Sequence, residues 1–530
     1  MPILPLPASC ELHSGTFVLS RETGISTDPA NQANAIHLQA LLQPATGFAL
    51  PISSAEPGPG FRGIRLGLAP ERTDLGAEGY ELEIDPAGIR IRAPHPAGVF
   101  YGIQSLRLLL PAEIEERRIL SGLSWQVPCL SIRDVPRFPW RGFMLDEGRH
   151  FHGKSVILQI LDVMALHKLN VFHWHLTEDQ GWRIEIRRYP RLTQIGSHRP
   201  GTSRSMFARK HDNVPHSGFY TQNDIREIVA YAAARQILIV PEIEVPGHSL
   251  AALAAHPELS CTGGPFATAT HFGIFPDIYC AGKEATFEFL QNVLDEILEL
   301  FPSPWIHIGG DEAPKSRWKN CPDCQARIAT EGLADEDALQ AYMTNRVARY
   351  LEGRGRTVIG WNQILLPGLL DGAVAQYWVG GWKQVLRAIR EDGRRVIMSS
   401  YLDTYLDHGY SLMPLSRAYR YEPVPAGLSV REQACILGLE FPLWGEWLPD
   451  RERLHYQAFP RLFALAETGW TPVERKNWPD FGQRVEDLLP RLDRLGIRYA
   501  PLSTAEPPRW KRIFGLFSIT FPQTGRAPQA

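Results

Sequence analysis

Short apolar segments alternate with amphipathic helical segments from Trp140 onward, and this alternation constrains the fold of the 530-residue chain more than any other feature. We predict eight strands, at residues 141–145, 170–175, 237–242, 305–308, 357–361, 374–378, 395–399 and 436–440. Residues 154–168 and 284–300 place apolar side chains at helical spacing between strands. Eight strands that alternate with helices predict an α/β protein with a (β/α)8 barrel, the TIM barrel.

The first 135 residues have a different pattern and predict a small α/β domain. Residues 79–85 and 88–92 alternate polar and apolar side chains around a Pro-Ala-Gly turn, which predicts a hairpin, and an amphipathic helix follows at 97–110. A proline-rich join at 135–139 marks the predicted boundary. We therefore expect a non-catalytic N-terminal domain at 1–135, a catalytic barrel at 136–500 and an irregular C-terminal tail at 501–530.

The overall charge argues against several classes of partner. A net charge of −3 gives no reason to expect binding to nucleic acid or to an anionic membrane surface. We find no apolar run long enough to span a membrane, and the N-terminus lacks a basic stretch followed by an apolar one. We expect a cytoplasmic protein as the sequence stands, although a secreted or periplasmic protein without its leader would look the same. These features do not specify an oligomeric state.

The seven cysteines are scattered and odd in number, so they do not predict a disulfide framework. Cys321 and Cys324 form the one close pair in the sequence. This pair could be half of a zinc site, but no second pair of Cys or His stands at ligand spacing. The sequence therefore favours a protein without a metal site.

Residues 305–312, WIHIGGDE, join a short apolar strand to two glycines and two adjacent carboxylates, Asp311 and Glu312. One interpretation is the start of a helix, where acidic residues favour the dipole and Pro314 suits the first turn. The other is a reactive pair, because neighbouring like charges raise each other's pKa and are costly without a role.

Active sites of such barrels lie at the C-terminal ends of the strands. The residues that follow the eight predicted strands include Asp146, Arg149, His175, Glu178, Glu242, Glu244, His248, Asp311, Glu312, Trp361, Trp378, Tyr405, Asp407, Trp444 and Glu446. A single Trp at a strand end is usually a core residue, but packing alone hardly explains this whole set. Aromatic rings stack on sugars, and carboxylates and Arg bind hydroxyls. The adjacency of Asp311 and Glu312 also leaves room for a substrate that supplies its own nucleophile, because adjacent acids cannot easily flank one glycosidic bond.

The chain resembles the family-twenty glycoside hydrolases, the exo-acting β-N-acetylhexosaminidases. The resemblance rests on the motifs RGFMLDEGRHF, KLNVFHWHLTEDQGWRIEI, VPGH, IHIGGDEAPKSRW and LWGEW, and on the loop at 405–407. It covers residues 1 to about 500, because the opening domain also resembles that family's N-terminal domain. It implies hydrolysis of terminal non-reducing β-linked GlcNAc, and of GalNAc, in oligosaccharides or glycoconjugates. The implied mechanism is retaining and substrate-assisted, passes through an oxazolinium intermediate and needs no cofactor.

The same resemblance implies a role for each candidate site residue. Asp311 orients the acetamido N–H, Glu312 acts as general acid and then base, and Tyr405 donates to the acetamido oxygen. The pocket walls are Trp361, Trp378 and Trp444, the residues that hold ring hydroxyls are Arg149, Asp407 and Glu446, and His248 relays between Glu178 and Glu312.

Two positions depart from the family's pattern. Many members carry Asp at the position of Glu178, and some animal members carry Asn at that of Asp407. Residues 401–403 also compete with 405–407 for the Tyr-Leu-Asp motif. We prefer Tyr405 and Asp407 because they keep the family's spacing from Met398 without a gap.

Two other functions remain as alternatives. His173 and His175 suggest a metal-dependent amidohydrolase as one alternative. However, this pair follows the second strand, not the first, and no suitable Lys is evident. A non-catalytic carbohydrate binder would be expected to have lost the acid, yet Asp311 and Glu312 are both present.

Overall fold

A computed structural model describes residues 1–55, 58, 61–203 and 211–512 of the chain. The residues from 1 to 134 form a seven-stranded mixed sheet with two long helices, Gln32–Thr46 and Pro96–Leu109. The strands are Ser9–Val18, Gly24–Thr27, Ile52–Ser53, Gly63–Leu68, Tyr80–Asp85, Gly88–Ala93 and Gln126–Asp134. The predicted hairpin is confirmed, since Tyr80–Asp85 pairs antiparallel with Gly88–Ala93.

Eight parallel strands close into a barrel, which confirms the predicted fold class. They are β1 Trp140–Asp146, β2 Val171–His175, β3 Leu238–Glu242, β4 Trp305–His307, β5 Thr357–Trp361, β6 Val374–Tyr377, β7 Val396–Met398 and β8 Ile436–Leu443. Strand β8 pairs with β1 and continues three residues beyond its predicted end. The extension has a simple cause: Phe441, Pro442 and Leu443 remain in register with Phe143, Met144 and Leu145.

Amphipathic helices surround this barrel and bury their apolar faces against it. The longer ones are Lys154–Leu166, Gln222–Ala233, Glu284–Leu300, Glu336–Glu352, Trp382–Arg390, Arg461–Trp470 and Trp478–Arg494. Helix Glu284–Leu300 has its predicted bounds and buries Leu290, Leu294 and Ile297 on one face.

The connection from β5 to β6 departs from the expected alternation. Its residues are all described, and they contain the single 3-10 turn Asn362–Ile364 in place of a helix. Pro367, together with Gly368 and Gly372 at φ angles of 84° and 87°, interrupts any helical path. This short connection keeps Ile364 close to the loop that follows β4.

Buried ion pairs join the N-terminal sheet to the bottom of the barrel. Lys168 Nζ lies 2.9 Å from Asp134 Oδ2, and Arg141 Nη2 lies 2.8 Å from Glu78 Oε1. Arg141 stands near the N-terminal end of β1, so the small domain packs away from the C-terminal ends of the strands. Those ends are therefore left free for a site.

The sheet ends at Asp134 and the barrel begins at Trp140, and we keep 1–135 and 136–500 as our proposed domain division. The tail at 501–530, expected to be irregular, contains one short helix, Leu502–Ala505, and residues 513–530 lie outside the described part. Among the described residues, no helix combines the length and apolar character needed to cross a bilayer.

Candidate active site

The loop after β4 turns sharply on two glycines that no other residue could replace without rearrangement. Gly309 and Gly310 have φ angles of 65° and 91°. A Cβ on Gly309 would lie 1.8 Å from Glu244 Oε2, and one on Gly310 would lie 2.3 Å from Ile364 Cγ2. The turn delivers Asp311 and Glu312 to the C-terminal end of the barrel, ahead of the short helix Ser316–Lys319. The interpretation of these acids as a helix's first turn is therefore wrong.

Asp311 and Glu312 occupy different depths. Asp311 is 6% exposed, and its Oδ1 atom has no hydrogen-bond partner among the described residues. Burial raises the pKa of Asp311 to about 7; His248 opposes the rise, and the carboxylates of Glu242 and Glu312 add to it. The side chain of Glu312 is 31% exposed, and its backbone lies in the left-handed region at a φ of 45°. Such strain in a non-glycine residue is commonly found at functional sites.

His248 lies between Glu178 and this acidic pair. Its Nδ1 atom is 2.8 Å from Glu178 Oε1, and its Nε2 atom is 3.6 Å from Glu312 Oε2 and 3.9 Å from Asp311 Oδ2. Burial opposes protonation of the ring, but the surrounding carboxylates, Glu178 first, outweigh it and raise the pKa of His248 well above its usual value. The surrounding carboxylates therefore favour the protonated imidazole. The structure thus brings Glu178 and His248 together.

Arg149 is held by three carboxylates on the other side of the site. Its guanidinium lies 3.0 Å from Asp146 Oδ2, 3.0 Å from Glu178 Oε2 and 3.5 Å from Glu446 Oε1. It also lies over the ring of Trp444, 5.0 Å from the centroid. Burial raises the pKa of Glu446 to about 7, although Arg149 opposes the rise. Arg149 and Glu446 thus form a charged group beside an aromatic face.

Four aromatic rings line the space between these charged groups. Trp361 lies 5.6 Å from Trp444 and 6.5 Å from Trp378, measured between ring centroids. Tyr405 stacks near-parallel to Trp378 at 6.2 Å and lies 6.1 Å from Trp444. Trp361 is fully buried, and its Nε1 atom donates to Glu242 Oε1 at 3.0 Å. This hydrogen bond holds the Trp361 ring against Glu242 at the end of β3.

The structure favours 405–407 over 401–403 as the Tyr-Leu-Asp motif. Tyr405 is buried within the aromatic group, whereas Tyr401 is 38% exposed. Asp403 is engaged elsewhere, because Arg417 Nε donates to it at 2.8 Å and Ser400 Oγ at 2.9 Å. Burial raises the pKa of Asp407 to about 7.

Sequence reasoning assigned no role to several buried acids that position the predicted residues. Asp146 accepts from the Arg149 guanidinium at 3.0 Å and from the backbone N–H of Gly445 at 2.8 Å. Glu244 contacts His175 Nε2 at 3.1 Å beneath the glycine turn. Their place as strand-end acids was the available signal, since each lies at or just after the end of a barrel strand.

The pair that suggested an amidohydrolase is part of a buried network. His173 has both ring nitrogens engaged by carboxylates, at 2.7 Å from Glu440 Oε1 and 2.9 Å from Glu242 Oε2. His175 lies 3.2 Å from Asp146 Oδ1 and 3.1 Å from Glu244 Oε1. These contacts support the barrel interior and do not favour the amidohydrolase.

Comparison with known proteins places this site in a family. Residues 138–473 match the sequence model of the glycosyl hydrolase family 20 catalytic domain, and residues 1–135 match domain 2 of the same family. The chain is 40% identical over 512 residues to a β-hexosaminidase of Porphyromonas gingivalis, covering 94% of this chain and 64% of that relative. The chain thus spans just under two thirds of that relative's length.

Two solved structures superimpose on this chain over almost the whole length of both chains. A family 20 β-N-acetylhexosaminidase from Streptomyces coelicolor superimposes with a TM-score of 0.82 at 34% identity, covering 94% of this chain and 97% of that one. A mutant Streptomyces plicatus β-hexosaminidase in complex with its product GlcNAc gives 0.82 at 34% identity, covering 96% and 97%. The two matched regions together with these full-length similarities show that the chain belongs to glycosyl hydrolase family 20.

Proposed function

We propose that this chain is an exo-acting β-N-acetylhexosaminidase. Its substrates would be oligosaccharides or glycoconjugates that end in β-linked GlcNAc, with GalNAc accepted more weakly. The reaction would retain anomeric configuration and use the substrate's own acetamido group as nucleophile. Family membership disfavours the amidohydrolase and the non-catalytic binder.

This proposal rests on the difference in burial between Asp311 and Glu312. A sugar that enters a closed pocket buries its 2-acetamido group, while its glycosidic oxygen leads toward solvent and the rest of the substrate. The buried Asp311, with Oδ1 unpartnered among the described residues, is suited to the acetamido N–H. The more exposed Glu312 is suited to the leaving oxygen. Two acids arranged in this way need no protein nucleophile.

The first step would break the glycosidic bond. The acetamido oxygen attacks the anomeric carbon, the bond to the leaving oxygen breaks, and Glu312 gives its proton to that oxygen. The acetamido N–H donates to Asp311, whose negative charge stabilises the positive charge that develops on the oxazolinium ring. Tyr405 donates its hydroxyl to the acetamido oxygen and holds it for attack.

The second step would release the sugar. Glu312, now ionised, takes a proton from a water molecule. This water attacks the anomeric carbon from the face that the leaving group has vacated. The oxazolinium ring opens, the acetamido group is restored, and two inversions give net retention. Protonated His248, whose Nε2 atom lies 3.6 Å from Glu312 Oε2, would stabilise the ionised form of Glu312.

Arg149, Glu446 and Asp407 would make the enzyme exo-acting by binding the hydroxyls of the terminal sugar. Arg149 is already fixed by Asp146 and Glu178, so binding a hydroxyl costs little further ordering. Trp361, Trp378 and Trp444 supply apolar faces for the sugar ring and the acetamido methyl. The acids near O4 and O6 could reach either C4 epimer, which is the reason to expect weaker activity on GalNAc.

A fluorinated substrate series tests the mechanism. Aryl glycosides with one leaving group and an acetyl, fluoroacetyl, difluoroacetyl or trifluoroacetyl amide differ mainly in the electron density of the nucleophilic oxygen. We expect kcat to fall steadily along the series, whereas a protein carboxylate nucleophile would be nearly indifferent to it. A flat series, or a sugar ester trapped on Asp311 and seen by mass spectrometry, would refute the proposal.

A further inference from the structure

Four of the seven cysteines converge at one point outside the active site. The residues are Cys261, Cys280, Cys321 and Cys324, and all of their sulfur atoms lie within 4.8 Å of one another. The Sγ atom of Cys280 is 3.5 Å from that of Cys324 and 3.7 Å from that of Cys321, and the Sγ atoms of Cys261 and Cys324 are 3.8 Å apart. Three of the side chains are buried and Cys261 is partly exposed.

We propose that these four cysteines form a structural tetrathiolate site for Zn²⁺. Structural zinc is bound tetrahedrally with Zn–S bonds of about 2.3 Å, which places the sulfur atoms about 3.8 Å apart. The three sulfur separations given above, between 3.5 and 3.8 Å, match that spacing. An ion at the centre would therefore meet four ligands with little movement of the backbone. This site replaces the sequence expectation of a protein without a metal site.

The backbone around the cysteines is built for close approach. Cys321 precedes the helix Pro322–Glu331, and Cys324 lies in its first turn. Gly282 packs against that turn so tightly that a Cβ there would lie 2.2 Å from the carbonyl carbon of Asp323. The backbone N–H of Cys280 donates to Leu259 O at 2.8 Å, which holds the Cys280 segment beside the residues that lead to Cys261.

Cations lie near the cluster, as a doubly negative tetrathiolate requires. Lys283 Nζ donates to the backbone oxygen of Ser260 at 2.7 Å, one residue from Cys261. Arg327 Nη2 donates to the backbone oxygen of Gly282 at 3.2 Å. Arg327 is also paired with Glu284, so Lys283 would be the main cation to offset the net charge that four thiolates leave around one Zn²⁺.

The zinc site would link the loops after β3 and β4, which carry the candidate catalytic residues. Cys261 and Cys280 belong to the loop after β3, which also carries His248, and Cys321 and Cys324 follow Asp311 and Glu312 after β4. Trp318 Nε1 donates to Tyr279 O at 2.9 Å, and Tyr279 N–H donates to Pro246 O at 3.1 Å, so hydrogen bonds run between the cluster and the site. The bound ion would have a structural role, and the inference does not depend on the proposed activity.

The metal content of the purified full-length chain tests the proposal. After reduction, reconstitution with Zn²⁺ and removal of loose metal, we expect one zinc per chain by elemental analysis and native mass spectrometry. Substitution with Co²⁺ should give the intense charge-transfer bands of thiolate ligation. Removing the metal with a chelator should lower the melting temperature, and adding Zn²⁺ should restore it.

Cysteine variants give the matched controls. Cys321→Ser and Cys324→Ser should lose stoichiometric zinc, while Cys435→Ser, which changes a thiol outside the cluster, should keep it. If the first two variants fail to fold, the cobalt spectrum of the unmodified chain still decides the outcome.

Three results would overturn the proposal. The first is a reduced chain that stays metal-free in excess Zn²⁺. The second is a Cys261–Cys324 or Cys280–Cys321 disulfide found by peptide mapping before any reductant is added. The third is bound cobalt without thiolate bands, which would locate the metal among the buried histidines and carboxylates of the barrel instead.

Discussion

Replacing Asp311 by asparagine removes a negative charge that the folded protein holds at a cost. The carboxylate is buried, lies near the ionised Glu242 and precedes Glu312, and only His248 among its main electrostatic neighbours favours its charge. Asparagine keeps the shape and hydrogen-bonding capacity of the side chain without the charge. We therefore expect Asp311→Asn to stabilise the ligand-free protein while removing most of its activity, because the variant can no longer offset the positive charge on the intermediate.

The size of the stabilisation follows from the pKa. A rise from 3.8 in the unfolded chain to about 7 in the folded protein corresponds to a cost of about 4 kcal/mol when both states are ionised. The cost is absent below the unfolded pKa, where both states are protonated, grows as the pH rises from the unfolded to the folded pKa, and is complete above the folded pKa. The gain from Asp311→Asn should therefore be about 3 kcal/mol larger at pH 8 than at pH 5.

Unfolding of the wild type and the variant, followed between pH 5 and pH 8, measures this difference. Because a chain of this size need not unfold in one step, the informative quantity is the change with pH of the gap between the two midpoints. Asp371→Asn, at an exposed position after β5, is the matched control and should show no such change. A gap that is absent, or equal at both pH values, would refute the claim that ionisation of Asp311 costs stability.

Three further predictions concern the proposed reaction. Glu312→Gln should lose about 10²- to 10⁴-fold in kcat on poor leaving groups and much less on dinitrophenolate, and an equal loss on both would remove Glu312 as the acid. Aryl GlcNAc should exceed aryl GalNAc in kcat/KM with both cleaved, and complete rejection of GalNAc would mean a tighter O4 site than the one proposed. Glu178→Gln removes the nearest carboxylate that raises the pKa of His248, so the alkaline limb of the pH profile should move to lower pH. Glu178→Asp should retain most of the wild-type profile, and an unshifted limb in Glu178→Gln would argue against a His248 relay.

The barrel was predictable because its signal is local and repeated. Each strand is a short apolar run that ends at glycine or polar residues, so the strands could be placed from the sequence to within a few residues. The differences arise where a neighbouring segment decides the outcome. Strand β8 continues to Leu443 only because β1 offers it partners. The connection after β5 lacks a helix because Pro367 and the glycines that follow outweigh its apolar composition.

The site was predictable as a set of strand-end residues, but the depth of each side chain was not. Trp361 and Trp444 were predicted to have the same role, whereas in the structure Trp361 is completely buried and donates to Glu242. Likewise, nothing in the spacing of Asp311 and Glu312 indicates which side chain is buried. The glycine turn that places both side chains packs against Glu244 and Ile364, which approach it from other loops.

The cysteine cluster could not be predicted from rules for the spacing of metal ligands in the sequence. Such rules work when two ligands share one turn, as Cys321 and Cys324 do, and when the partner pair is equally compact. Here the other two ligands lie far away in the chain: Cys280 is 41 positions from Cys321, and Cys261 is 63 positions from Cys324. They come close because β3 and β4 are neighbouring parallel strands, whose following loops emerge side by side. In a barrel, then, a compact cysteine pair after one strand should be compared with single cysteines in the loop after the adjacent strand, at a distance set by the intervening helix.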